Sequence, residues 1–142
     1  MATATNDMNM NATSNISASN EVDDVQGNGL EITSDTNLDS ETFNNFEGDG
    51  IAVLEGVNVE LDEVESTSNG DDGFEIRGNV TEASLTANES SFNLNGDDGI
   101  DVFGENSTVN LFRVEASFNE GGGLGVDGLN NTFNIDTSEF EA

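Results

Sequence analysis

The sequence contains no cysteine, histidine, lysine, proline, tryptophan or tyrosine, and its only basic residues are Arg77 and Arg113. It therefore offers no imidazole base, thiol nucleophile, Schiff-base amine or soft-metal site. The 142 residues include 30 Asp and Glu, which give a formal net charge of -28. Such a charge repels nucleic-acid phosphates and anionic membrane surfaces, so we expect neither as a partner. Hard-cation coordination and carboxylate acid–base chemistry remain.

Long apolar runs and targeting signals are also missing. No stretch of 18 apolar residues occurs, so the sequence predicts no membrane insertion. Residues 1–20 lack both a basic region and an apolar region, so no signal peptide is visible, which leaves open a leader already removed or export without one. The absence of cysteine is compatible with a cytosolic protein and with a secreted protein that needs no disulfides.

Glycine divides the chain into two parts. All 16 glycines lie at or after Gly27, whereas the residues before it are rich in Asn, Ser, Thr and Ala. We predict an N-terminal arm over residues 1–13, which could contact another subunit, and a single domain over 14–142 that begins with an incomplete repeat.

The domain is repetitive. A glycine that precedes an apolar-x-apolar triplet, here called the anchor glycine, recurs at spacings of 21, 23, 26 and 24 residues. Alternation of apolar residues is typical of a strand with one buried face. The five matching segments are Gly29-Leu30-Glu31-Ile32, Gly50-Ile51-Ala52-Val53, Gly73-Phe74-Glu75-Ile76, Gly99-Ile100-Asp101-Val102 and Gly123-Leu124-Gly125-Val126.

Each repeat continues with two further apolar segments and lacks the apolar spacing of a helix. A unit of three short strands cannot bury its apolar face alone, but stacked units can. We therefore predict an all-β solenoid of about five coils with three short strands in each. The anchor strands should form one parallel sheet, over residues 30–33, 51–54, 74–77, 100–103 and 124–127.

The segments Asn69–Ile76, Asn95–Val102 and Asn119–Val126 share the pattern Asn-x-x-x-Gly-apolar-x-apolar. Over residues 14–142 the chain resembles the right-handed parallel β-helix of the pectate-lyase-like type. The resemblance implies a fold but not a function, because such coils occur in lyases, hydrolases, adhesins and phage spikes.

Stacking should align Asn69, Asn95 and Asn119, each four residues before an anchor glycine. One interpretation is an internal amide ladder, in which each side chain bonds the next coil and a corner carbonyl. The alternative is that Asn merely tolerates a left-handed corner.

Carboxylates should align in the same way just before the anchor glycines. Asp49, Asp72 and Asp98 directly precede anchors, and Asp71 and Asp97 lie one residue earlier. Like charges about 5 Å apart repel by roughly 1 kcal/mol in water, and a shared Ca²⁺ would relieve that repulsion. The alternative is that these carboxylates are solvated and screened by salt, as in highly acidic soluble proteins.

A second, weaker resemblance is to the RTX calcium-binding nonapeptide. Gly122–Asn130 fits its fixed positions and Gly96–Gly104 fits with one exception, which adds Asp127 and Asp101 to the candidate metal ligands. Calcium rolls need such nonapeptides in direct succession. Here they recur at the repeat spacing, so we do not expect a calcium roll.

Three classes of function remain. We favour a structural subunit of an extracellular or cell-surface filament that stacks head to tail, because the last coil shows the full repeat pattern through Phe140 and leaves no room for a cap. The alternative is a module that binds carbohydrate or another surface, for which the mostly inward Phe residues give little support.

We expect no enzyme, because the paired carboxylates lack a His or Lys partner. The partners expected are further copies of the chain and, beyond those, divalent cations or glycans.

Overall fold

The chain folds as a β-solenoid of about five turns. The computed structural model describes residues 27–141 and, for the backbone alone, residues 8–10 and 15–16. All paired strands in these ranges run parallel, and the described residues form no helix. They accordingly include no helix that is long and apolar enough to cross a membrane.

The strands of successive coils build two six-stranded sheets. The first sheet consists, in hydrogen-bonded order, of β1 (Met8–Met10), β3 (Leu30–Ile32), β6 (Ile51–Val53), β9 (Phe74–Ile76), β11 (Asp98–Val102) and β14 (Gly122–Val126). The second sheet has the order β2 (Asn15–Ile16), β4 (Thr36–Asp39), β7 (Asn58–Asp62), β10 (Ser84–Asn88), β12 (Thr108–Phe112) and β15 (Thr132–Asp136).

A third side is formed by shorter strands. β5 (Thr42–Asn44) pairs with β8 (Glu65–Thr67), and β13 (Glu115–Ser117) pairs with β16 (Glu139–Glu141). Parallel bridges from Ser91 to Glu65 and to Glu115 connect the two pairs. Each complete coil therefore contributes one strand or bridge to each side.

The anchor strands do form one parallel sheet, as the sequence predicts. Ile51 pairs with Phe74 and Phe74 pairs with Ile100, which keeps the apolar positions in register. The apolar side chains of these strands are buried as far as Val102. In the last coil the prediction of burial is wrong for Val126, which is 47% exposed, because no further coil of the described residues covers it.

The predicted amide ladder is confirmed. The Asn95 side chain accepts hydrogen bonds from the backbone N–H and the Nδ2 of Asn69, both at 3.1 Å. Its own Nδ2 donates to Asn119 Oδ1 at 3.0 Å and to the Ser66 carbonyl at 3.3 Å. The ladder fills the corner so closely that a Cβ at Gly73 would lie 2.7 Å from Asn95 Nδ2, which explains the anchor glycine.

Residues in the left-handed backbone conformation turn the chain at the corners. Leu94 (φ 61°) and Phe118 (φ 59°) occupy equivalent positions after the third side, where earlier coils carry Asn45 and Ser68. In the repeat pattern Phe118 falls in the third apolar segment, which predicts an inward side chain, and this prediction is wrong. At the left-handed corner its side chain is 63% exposed.

The predicted division into an arm and a domain falls mostly outside the described residues. Within the predicted arm, the backbone of β1 continues the first sheet, with Met8 paired to Leu30.

Candidate functional site

The aligned acidic residues lie where the chain enters the strands of the first sheet, in a region that we call the acidic corner. Three of the side chains directly before an anchor glycine, those of Asn28, Asp49 and Asp72, bond the next coil. Asp72 Oδ1 accepts the backbone N–H of Asp98 at 2.8 Å, and Asp49 Oδ1 accepts that of Asp72 at 3.2 Å. Asn28 begins this series by accepting the N–H of Asp49 at 2.9 Å. These aspartates therefore have a structural role whether or not a cation is bound.

The acidic corner brings carboxylates together in two overlapping groups. Oxygen atoms of Asp49, Asp71 and Asp72 lie within 4.8 Å of one another, and so do those of Asp72, Glu75 and Asp101. Asp72 belongs to both groups because it lies in the middle coil. Carboxylate oxygens at such separations are ligands that Ca²⁺ accepts.

Arg77 is the basic residue of the acidic corner. Its Nε donates to Glu75 Oε2 at 3.0 Å, and its Nη2 lies 3.7 Å from Asp49 Oδ2. Burial lowers the pKa of Arg77, but the hydrogen bond and charge of Glu75 outweigh this and raise it. The longer contact with Asp49 does not offset the burial of that carboxylate.

Burial is the largest cause of the raised carboxylate pKa values in the acidic corner. It raises the pKa of Asp49 to about 7, with the charge of Glu75 adding to the shift. It raises the pKa of Asp72 to about 8, although the hydrogen bond from Asp98 opposes the change. The pKa of Asp101 rises to about 6 through burial and then the charge of Asp98. Asp49 and Asp72 are therefore partly protonated near neutral pH.

The acidic series ends at glycines in the last coil. Asp98 pairs with Gly122 and Asp101 with Gly125, and a Cβ at Gly125 would overlap the Asp98 carboxylate. Burial, followed by the charges of Asp97 and Asp127, raises the pKa of Asp98. The glycines thus leave space into which the carboxylates of the preceding coil extend.

The predicted metal ligands do not all converge. Four of the seven, Asp49, Asp71, Asp72 and Asp101, belong to the two carboxylate groups. The other three, Asp97, Asp98 and Asp127, lie toward the last coil and belong to neither group among the described residues. Sequence reasoning missed Glu75 and Arg77. Glu75 could have been found from the predicted register of the first sheet, because Glu75 pairs directly with Asp101.

The outer face of the second sheet forms a polar groove of about 700 Å³. Polar side chains of neighbouring coils form hydrogen bonds across this groove. Asn88 Nδ2 donates to Asp62 Oδ1 at 2.6 Å, and Asn37 Nδ2 donates to Glu60 Oε2 at 3.2 Å. The groove is lined by Asn37, Asp39, Glu60, Leu61, Asp62, Thr86 and Asn88.

Comparisons with known proteins give no relative for this chain. It matches no protein-family model, no curated protein and no solved structure. The two resemblances noted in the sequence, to pectate-lyase-like β-helices and to RTX nonapeptides, thus receive no support from a family match.

The last coil presents apolar side chains along the solenoid axis. Ile135 is 47% exposed, whereas its partner Leu111 in the preceding coil is fully buried. The inward positions of this coil, which pair with buried residues below, form what we call the apolar end surface: Leu124, Val126, Phe133, Ile135 and Phe140. No strand of the described residues pairs with the outer edge of β14, β15 or β16.

Proposed function

We propose that the chain is a structural subunit of an extracellular or cell-surface filament and that its copies stack head to tail. The single observation that carries the proposal is the apolar end surface. Val126 and Ile135 are each 47% exposed at positions where the preceding coils bury their side chains completely. A further coil of the same cross-section would cover these side chains and pair with the free strand edges.

A second copy of the chain supplies such a coil. The two main sheets end in β14 and β15 at one end of the solenoid and in β1 and β2 at the other. All of these strands run parallel to their neighbours. Head-to-tail contact would therefore extend both sheets with all strands still parallel. A contact between two different ends does not close, so its repetition gives a filament.

Light scattering and electron microscopy test the filament. At high protein concentration with Ca²⁺ and salt present, we expect the 142-residue chain to form particles much larger than a monomer. Ile135→Asp should prevent their formation, because it places a charge on the apolar end surface. Leu94→Asp is the matched control, since Leu94 is 60% exposed on the side of the solenoid. A folded, monodisperse monomer under all these conditions would refute the proposal.

We further propose that Ca²⁺ stabilises the solenoid at the acidic corner. Asp49, Asp71, Asp72, Glu75 and Asp101 supply the converging oxygens, and the raised pKa values of Asp49, Asp72 and Asp101 reflect negative charge that is costly to bury. A bound divalent cation would favour the ionised carboxylates.

The melting temperature tests the cation. Millimolar Ca²⁺ should raise it by several degrees through mass action on the folded state, and Mg²⁺ should raise it less because it requires stricter octahedral geometry. Asp72→Asn should remove most of the increase, whereas Asp39→Asn, on an exposed position, should not. Identical melting curves in EDTA and in Ca²⁺ would leave the acidic corner as charge without a bound ion.

The polar groove supports a second candidate function, the binding of a neutral glycan. Its amide, hydroxyl and carboxylate groups can bond sugar hydroxyls, and Phe112, 38% exposed and paired with Asn88, offers a ring at one end. Acidic glycans would be repelled by the net charge. Calorimetric titration with neutral oligosaccharides should then give heat that Asn88→Ala abolishes. The absence of heat with any of them would argue against this candidate.

A further inference from the structure

Exposed carboxylates surround the apolar end surface. Asp127, Asp136, Glu139 and Glu141 are all exposed in the last coil. The first fully described coil, toward the opposite end, is acidic as well, with exposed Asp35, Asp39 and Glu47. In a head-to-tail contact the exposed carboxylates of one last coil therefore approach those of the next copy, from which only the coil of β1 and β2, about 5 Å thick, separates the joint.

The chain has no free basic side chain with which to compensate this charge. It contains no lysine, and both arginines are already paired with acids of the same molecule. Arg77 bonds Glu75, and Arg113 bonds Glu89. Attraction at the joint must therefore come from apolar burial and from hydrogen bonds of the backbone and of neutral side chains, while side-chain charges oppose it.

We propose that ionic strength controls the joining of two copies at the apolar end surface. This inference rests on the proposed function, for which it names the regulation. Repulsion between solvent-exposed charges extends over about 10 Å at 0.1 M salt but only about 3 Å at 1 M. Apolar contact is not weakened by this screening. In dilute salt the rim carboxylates keep copies apart, and in concentrated salt the apolar end surface is free to dock.

A titration of the 142-residue chain with NaCl, followed by light scattering, tests the inference. We expect the protein concentration needed for assembly to fall by about tenfold or more between 0.05 M and 1 M NaCl. Circular dichroism recorded in parallel should show a folded chain throughout, so that the change in scattering reports association and not folding.

Charge variants separate repulsion at the joint from the effect of net charge. The rim variant Asp136→Asn/Glu139→Gln/Glu141→Gln changes the formal charge from -28 to -25, because three acids are neutralised. The control Glu55→Gln/Glu63→Gln/Glu82→Gln makes the same change at exposed positions in earlier coils. Only the rim variant should assemble at clearly lower salt, with a shift of several-fold in the NaCl concentration at the midpoint.

The possible outcomes distinguish the regulation from the function. Assembly that is independent of salt would overturn the inference and leave the filament intact. An equal shift of the midpoint in both triple variants would also overturn it, because net charge alone would then explain the effect. No assembly of any variant at any salt concentration would refute the proposed function and the inference together.

Discussion

At the scale of single residues, burial separates positions that look alike in the sequence. Ile100 and Leu94 are both large aliphatic residues beside an acidic segment, yet Ile100 is fully buried and Leu94 is 60% exposed. Ile100 lies between Phe74 and Leu124 in the first sheet. A charge at Ile100 would therefore enter the core, whereas a charge at Leu94 would remain in water.

Ile100→Asp should destabilise the solenoid by about 4 kcal/mol or more, because it combines the loss of a buried aliphatic side chain with the burial of a charge. Leu94→Asp should change the stability by less than about 1 kcal/mol, since the site is exposed. Urea denaturation of both variants, followed by circular dichroism, measures the difference. A urea denaturation curve for Ile100→Asp that matches that of the unsubstituted chain would show that the register of the first sheet is wrong.

The buried aspartates predict how stability depends on pH. The pKa values of Asp49 and Asp72, about 7 and about 8 in the folded chain, lie well above the ordinary value of 3.8. The folded state therefore binds more protons than the unfolded state between about pH 4 and pH 8, and stability must fall as the pH rises through this range.

In EDTA the chain should consequently be more stable at pH 5 than at pH 8. Asp72→Asn keeps an oxygen acceptor for the N–H of Asp98, as Asn28 does for Asp49. This variant should raise the stability by on the order of 1–3 kcal/mol at pH 8 and by much less at pH 5. Asp39→Asn removes an exposed charge and serves as the control. A stability that increases from pH 5 to pH 8 would contradict the burial of these carboxylates.

The position of the carboxylates could be read from the sequence, but their partners could not. The fixed offset from the anchor glycine predicts that Asp49, Asp72 and Asp98 align in neighbouring coils. It does not predict that Arg77 reaches back across coils to Asp49 at 3.7 Å, because the reach and direction of a long side chain depend on the twist and spacing of the sheet. The sequence therefore gives no sign that Arg77 has a partner in an earlier coil.

At the scale of the strands, alternation was a sufficient signal for the first sheet from β3 onward and for the second sheet from β7 onward, whereas β1 lies in the predicted arm. Apolar residues at every second position predict one inward face, and the strands appear where that pattern occurs. The corners were harder to predict. Leu94 and Phe118 are not residues that favour a left-handed conformation, so nothing in their identity indicates the turn. The turn is indicated instead by position, because Leu94 and Phe118 align with Asn45 and Ser68 of earlier coils.

A corner substitution tests this assignment. Leu94→Asn should stabilise the chain by about 1 kcal/mol, because Asn adopts the left-handed conformation at a lower cost than Leu. Asn45 already occupies the equivalent corner with φ 61°. Thermal melting measures the change, and Leu54→Asn, at a partly buried position outside the left-handed corners, provides a contrast that should be destabilising. A loss of stability in Leu94→Asn would contradict the conformation of the corner.

The amide ladder predicts a larger effect at another corner position. Asn95→Ala removes the acceptor for two donors of Asn69 and the donor to Asn119 Oδ1. Because these groups are buried, the loss should cost about 2–4 kcal/mol. Asn134→Ala, which removes one exposed hydrogen bond to Asn110, should cost less than about 0.5 kcal/mol. Equal losses in the two variants would mean that the ladder contributes little to stability.

At the scale of the whole molecule, the repeat spacing was enough to predict a stack of about five coils. The spacing varies from 21 to 26 residues without loss of register, since the corners accommodate the difference. The polar groove was not predicted. Its existence depends on which outward side chains of β4, β7 and β10 are short and how they lean, and the repeat pattern carries no information on either.

The stacking of coils also determines the order in which the molecule opens. Each coil contacts only its neighbours, so the free energy of opening is a sum of local terms, as in a one-dimensional chain. The last coil is covered on one side only, and Ile135 is 47% exposed. Its backbone amides should therefore exchange with deuterium first, and protection should increase from β14 and β15 toward β9 and β10. If copies join at the apolar end surface, protection of this coil becomes a local measure of how many ends are occupied.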